Sequence, residues 1–166
     1  MIKLELATMD ELAVYIDILR SSRDFQREQG FVQWTDSFPS EELIKGDIEN
    51  KNGYVLRVDG EAAGYMYIGF DGDAEYPKIV GAWHTGEKYA VIHRIGIARG
   101  FRGMGLSRAA FDLAGELCRG RGFYDLRIDT HEDNKRMQHV LEKNGFSYCG
   151  TVMQNGGERM AYDKKL

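Results

Sequence analysis

The sequence predicts an α+β fold, a mixed, mostly antiparallel sheet of about seven strands flanked by about four helices. Three observations predict it. Strand-like apolar runs and segments of helical periodicity follow one another in the order β-α-α-β-β-β-α-β-α-β-β. Hairpin signals sit toward both ends, at Asp59-Gly60 and Gly156-Gly157. Between them, an apolar strand, a glycine-rich turn, a helix and a further strand make one parallel crossover.

"IKLELA" reads as the first strand, and "TMDE" has capping-box form, with Thr8 accepting from a backbone N–H and Glu11 reaching back. Leu12, Tyr15, Ile16 and Leu19 then share one helical face. The connection that follows contains "FVQW", an apolar-polar insertion, before a second helix begins near Ser40 with Leu43, Ile44 and Ile48 on its apolar side. "GYVLRVDGEAAGYMYIGF" is a hairpin hinged at Asp59-Gly60. "DGDAEYPKIVGAWHTGEK", with its acidic Asp71, Asp73 and Glu75, reads as a loop or a short irregular helix. "YAVIHRIGIA" is apolar on both faces, the pattern of an interior strand. The third helix carries Leu106, Ala109, Ala110, Leu113 and Leu117 at helical spacing and ends in "CRGRG". "FYDLRIDT" is a strand, and "EDNKRMQHVLEKNG" a helix with Met137, Val140 and Leu141 inward and Gly145 as its stop. "FSYCGTVMQNGGERMAYDKK" closes with the hairpin through Gly156-Gly157.

The 166 residues fit a single domain, residues 1–166, with no repeat, low-complexity tract or linker. Hydrophobic content of 43% and charged content of 29% are those of a soluble globular chain. No apolar run approaches the roughly 20 residues of a membrane span, and "MIKLELATMD" lacks the layout of an export signal. Cys118 and Cys149 form no CxxC and no disulfide framework, which favours a reducing, cytoplasmic setting. A net charge of -4 argues against a general nucleic-acid binder; neither nucleic acid nor membrane is expected as a partner, and a two-fold dimer is the default assembly. The histidines lack HxH and HExxH spacing, so no metal is expected.

"ARGFRGMGLSRAAFDLAGEL" places glycines and arginines where a strand gives way to a helix. A helix N-terminus leaves backbone N–H groups without intrahelical partners and carries partial positive charge. Glycines allow positive φ and a close approach to that backbone, and Arg102 and Arg99 add full charge. The result is a cradle for a phosphate-type anion; the alternative is a tight turn whose glycines only relieve crowding. A P-loop is excluded because Leu106-Ser107 follow Gly105 where Lys-Ser/Thr is required. A dinucleotide fingerprint is excluded because Arg108 stands where the third glycine belongs. "GLSRA" has the GxSxA form of a hydrolase nucleophile elbow, with His131 and His139 later in the chain, although Ser107 lies well inside the helical pattern.

"RGMGLS" resembles the acyl-coenzyme A signature of the GNAT N-acetyltransferases, Arg or Gln, two residues, Gly, one residue, then Gly or Ala. Arg102 and Gly105 match, and Ser107 replaces the last small residue. "IHRIGIARGFRGMGL" is similar to that family's strand and pyrophosphate loop, and "DTHEDNKRMQHVLEKNGF" to its later strand, asparagine and helix. Strand order agrees across nearly the whole chain.

The resemblance implies an acetyl-CoA-dependent N-acetyltransferase acting on a small-molecule or peptide amine, by direct attack in a ternary complex and without a cysteine intermediate. It implies that the N–H groups of Gly103, Met104, Gly105, Leu106 and Ser107 hold the pyrophosphate, that Ile95 and Ile97 offer strand-edge groups to the pantetheine arm, and that Asn134 contacts that arm. Asn134 reads equally as a helix cap. The family's frequent tyrosine acid, seven residues after the asparagine, is Leu141 here, which leaves Tyr148 or water as proton source. An amine titrates near ~10 and needs a base. His93, on the face of its strand shared with Ile95 and Ile97, is the candidate, set against a hydrogen-bonded core histidine. Gln33, Trp34 and His84 are candidates for the acceptor side, Trp34 reading also as a packing anchor and His84 as simply exposed. The rivals are a non-catalytic coenzyme A-binding domain, favoured by Leu141, and the serine hydrolase.

Overall fold

The computed structural model describes residues 1–86 and 88–166; Glu87, inside the stretch read as a loop, lies outside the described residues. The elements are β1 (Ile2–Leu6), α1 (Leu12–Glu28), α2 (Glu41–Glu49), β2 (Gly53–Val58), β3 (Glu61–Gly69), β4 (Val80–Gly81), β5 (Ala90–Ile97), α3 (Leu106–Gly120), β6 (Asp125–Thr130), α4 (Lys135–Lys143), β7 (Ser147–Gln154) and β8 (Gly157–Lys165). Their order is the expected one with a single addition, β4. The strands hydrogen-bond in the order β1-β2-β3-β5-β6-β8-β7-β4. β1–β2, β2–β3, β4–β7, β6–β8 and β7–β8 are antiparallel, and β5 runs parallel to β6. The fold is therefore the mixed, mostly antiparallel α+β sheet that the pattern predicts.

The chain divides into two compact units, one of residues 1–68 with 93–113, the other of residues 69–92 with 114–166. In the first, the inward stripe of α1 packs Tyr15, Ile16, Ile18 and Leu19 with Ile44, Val55, Tyr65 and Trp34. Each such large side chain, once buried, contributes about 1.5–3 kcal/mol. Ser40 caps α2 by accepting from Leu43 N at 3.2 Å. The β2–β3 turn puts Asp59 at φ 49 and Gly60 at φ 87, the left-handed pair a two-residue hairpin wants. The capping box at Thr8 is not formed. Glu11 is drawn instead to Arg57 and to the Tyr15 hydroxyl, and the Thr8 side chain caps nothing. Ion pairing across to β2 outcompetes a local cap.

In the second unit Tyr76, Tyr89, Val91, Cys149, Val152 and Ala161 form the core, with Trp83 against it. β4 arises because Gly81 and Gly150 let two backbones meet: a Cβ on Gly81 would lie 2.2 Å from the Cys149 carbonyl oxygen. Two residues are too few to show alternation, so the sequence pattern misses it. The β7–β8 turn is Asn155-Gly156, at φ 51 and 77, and Gly157 opens β8 rather than sharing the turn. The buried line of α3 is Leu106, Ala110, Phe111, Ala114 and Cys118, leaving Leu113 and Leu117 only half-buried. Among the described residues, no helix is long and apolar enough to cross a membrane.

Candidate functional site

Gly103 and Gly105 hold φ 79 and 70, and a Cβ on either would meet nothing within 4 Å. Relief of crowding is therefore not their purpose. They serve a left-handed backbone, which costs an L-residue about 1–2 kcal/mol, and they leave bare main chain facing open space. Met104 between them is 60% exposed. The helix that follows contributes the N–H groups of Leu106 to Ala109, which have no intrahelical acceptor, and the positive end of its dipole. Arg102 fastens the turn to α1: its Nη2 donates to the Ser21 carbonyl at 2.9 Å and approaches Ser21 Oγ at 3.4 Å, and its guanidinium lies 4.3 Å over the Phe25 ring. Arg108 pairs loosely with Asp112 at 3.7 Å. Main-chain donors arranged in this way have the chemistry to hold an anion.

β5 leads into this turn. Its parallel register with β6 covers Ala90↔Leu126, Val91↔Arg127 and Ile92↔Ile128; among the described residues that ladder stops there, while the strand continues to Ile97. Arg94 interrupts it at φ 48. His93 and Arg94, which strict alternation would send to opposite faces, both lie against the Tyr67 ring, at 5.7 and 4.4 Å between centres. Simple alternation through Arg94 is therefore no guide to which face His93 shares with Ile95 and Ile97. Further along, Gly96 admits α1: a Cβ there would sit 2.6 Å from Ser22 Oγ.

The sequence reading missed what holds Arg94. Asp47, buried on α2, accepts from Arg94 Nε at 2.9 Å and Nη2 at 2.7 Å, and from the Tyr65 hydroxyl at 2.8 Å. Burial and the Asp47 charge push the Tyr65 phenol well up. Two signals were available: an arginine in a two-sided apolar strand, and an aspartate at helical spacing from Leu43 and Ile44.

The remaining candidates separate. Asn134 caps α4, its Oδ1 accepting from Met137 N at 3.1 Å. Leu141 is fully buried. Tyr148 is half exposed and meets Tyr162 edge-on. Trp34 is a core anchor, edge-on to Phe38, while its neighbour Gln33 is half-buried. His84 Nδ1 stands 2.9 Å from Asp163 Oδ1 and 3.3 Å from Cys149 Sγ. Asp73 is engaged by Glu75 N and by Gln154 Nε2, so the acidic loop ties itself down. Ser107 lies in the first turn of α3, well past the end of β5, and not at a strand-to-helix elbow. Burial pushes the thiols of Cys118 and Cys149 up to about 12, which makes both poor nucleophiles.

Residues 18–146 match the family described as "Acetyltransferase (GNAT) family". A structure from Streptococcus agalactiae described as an acetyltransferase of the GNAT family is 34% identical, covering 99% of this chain and 95% of that one, with a TM-score of 0.90. An aminoglycoside acetyltransferase in complex with coenzyme A shares the fold, at 21% identity over 99% of this chain and 95% of that one, with a TM-score of 0.71. The streptothricin acetyltransferase of Streptomyces lavendulae is 29% identical over 104 residues, 63% of this chain; the match spans 48%, about half, of that relative's length.

Proposed function

The chain belongs to the acetyltransferase (GNAT) family, and from that membership we propose that it moves the acetyl group of acetyl-CoA to a primary amine by direct attack in a ternary complex. The observation that carries the reading is the bare main chain of Gly103 and Gly105 at the start of α3. In this reading the N–H groups from Gly103 to Ser107 receive the pyrophosphate, with Arg102 holding the turn in place. The β5 edge at Ile95 and Ile97, beyond the end of the parallel ladder, takes the pantetheine amides as an added strand segment. A β5 N–H polarises the thioester carbonyl.

The amine nitrogen forms its bond to the carbonyl carbon, the C–S bond breaks, and the electron pair leaves on sulfur. His93, in contact with Tyr67, is the residue assigned to take the ammonium proton. Leu141 carries no proton and is sealed in the core, so the thiolate leaves without that acid; a thiol titrating near ~8.5 makes this tolerable at neutral pH. Buried Cys118 and Cys149 favour a single displacement over an acyl-enzyme. The acceptor assigned is a small-molecule amine, the chemistry in the name of the streptothricin acetyltransferase relative.

Initial rates across an amine panel, with acetyl-CoA varied and free thiol as readout, test the proposal. Intersecting double-reciprocal lines support it; parallel lines mean an acyl-enzyme and overturn the direct attack. Leu141 favours one second reading, a domain that binds coenzyme A without turnover. Binding with no thiol release across the panel decides for it.

A further inference from the structure

His84, Cys149 and Asp163 belong to the unit of residues 69–92 and 114–166 and have no part in the proposed transfer. Each offers one donor atom, and the three atoms lie within 4.8 Å of one another. We propose that they form a binding site for a borderline-soft divalent cation of the zinc class.

The geometry separates this from a nucleophile triad. In such a triad the thiol and the carboxylate hold opposite ring nitrogens of the histidine. Here Asp163 Oδ1 at 2.9 Å and Cys149 Sγ at 3.3 Å both address Nδ1. One nitrogen carries one proton and satisfies one such neighbour, and the thiol itself donates to the Ser147 carbonyl at 3.4 Å; the convergence of sulfur, nitrogen and carboxylate oxygen on one point is what suits a cation. With metal–ligand lengths of about 2.0–2.3 Å, tetrahedral ligands stand roughly 3.5 Å apart; the two separations at Nδ1, 2.9 and 3.3 Å, fall slightly short of that and open by a few tenths of an ångström around a cation.

The surroundings hold the donors in place. Asp163 is 2% exposed, and its Oδ2 accepts from His84 N at 2.6 Å and Thr85 N at 3.0 Å, which turns Oδ1 toward the ring. Cys149 is the extra residue of a bulge in β7: Tyr148 faces Tyr162, Gly150 faces Ala161, and Cys149 has no register partner. Bulges re-aim side chains, and the Cys149 carbonyl accepts from Ala82 N at 3.0 Å, two residues before His84. The His84 side chain is 58% exposed, which gives water access to a fourth position. Sulfur, imidazole nitrogen and carboxylate oxygen together suit Zn²⁺ better than Mg²⁺ or Ca²⁺. Arg127 is the opposing charge. Its guanidinium is committed to Thr85 Oγ1 and to the Thr85 and Gly86 carbonyls, stacked on Tyr89 and Trp83. Thiolate and carboxylate outweigh it by one unit of charge. Binding sends the Cys149 thiol proton to solvent and leaves the His84 proton on Nε2. The wide separation of the three residues along the chain hides the set from any spacing rule.

The test uses the full chain, stripped with a chelator and titrated with Zn²⁺ by calorimetry and with Co²⁺ by absorption. The expected result is one equivalent bound and a thiolate-to-cobalt charge-transfer band in the near ultraviolet. The band is lost in Cys149→Ser, and affinity falls at least about tenfold in His84→Ala; the exposed His84 makes that variant a readout that does not depend on refolding the core. A missing band in the parent protein, or Zn²⁺ affinity unchanged in His84→Ala, overturns the proposal.

Discussion

Arg94 gives two hydrogen bonds, 2.9 and 2.7 Å long, to the Asp47 carboxylate, and the pair holds a left-handed residue in the middle of β5. Two elements far apart in sequence are joined there by buried charge, with the Tyr65 hydroxyl as a third partner. The strand on either side of Arg94 does different work: Ala90 to Ile92 pair in parallel with β6, and the residues after Arg94 run to the glycine turn.

Removing one member of a buried ion pair strands the other, a loss of about 3–5 kcal/mol. Asp47→Ala is expected to lose that much in urea unfolding, and Asp47→Asn less, since an amide still accepts one of the hydrogen bonds. A loss below about 1 kcal/mol in Asp47→Ala would mean that Arg94 finds water, as surface pairs do.

At the glycine turn, fold and ligand binding are separable. Gly105→Ala is expected to cost about 1 kcal/mol because of its φ of 70, with no clash around the new methyl. Gly105→Glu places a carboxylate where the pyrophosphate is proposed to sit. Coenzyme A affinity by calorimetry is expected to fall at least about tenfold, with the circular dichroism spectrum kept. Equal affinity in parent and Gly105→Glu counts heavily against the cradle.

Leu141→Tyr tests whether the missing family acid can be restored. The site is fully buried, so added atoms overpack the core by about 1–3 kcal/mol. The expected outcome is a lower melting temperature with no rise in kcat. A faster variant would show that proton donation to the thiolate limits turnover.

Glu11 supplies the pH dependence. Its hydrogen bonds from Arg57 hold the carboxyl below its ordinary 4.5, against a smaller upward pull from burial. The unfolded chain therefore binds this proton more readily than the folded one. The stabilisation is complete above about 4.5 and fades as pH falls through the lower folded value. Glu11→Gln is expected to cost about 1 kcal/mol or less at pH 7, since the pair is partly exposed, and the gap from the parent should close in unfolding curves below pH 4. A gap that is constant across that range would place the contribution in packing rather than charge.

The hydrolase alternative is tested at Ser107. Its place in the first turn of α3 predicts that Ser107→Ala changes coenzyme affinity at most. Loss of an esterase activity in that variant would revive the elbow reading.

The order of the elements, the hairpin at Asp59-Gly60, the start of a helix near Ser40 and the glycine signature at residues 102–107 were legible because each is local. Periodicity, turn chemistry and a contiguous motif need only neighbouring residues to declare themselves. Thr8 and Glu11 showed the limit of that logic, since a local cap lost to a partner on another strand. So did Arg94, whose positive φ breaks the alternation of β5 and is announced by no apolar pattern. The tertiary structure alone decided that Asp47 meets Arg94, that Arg102 docks on Ser21, that Trp34 is core, and that His84, Cys149 and Asp163 converge. Those contacts join residues separated by whole elements. Their geometry depends on strand register, a bulge and glycine-permitted backbone approach, quantities that exist only after the sheet has formed.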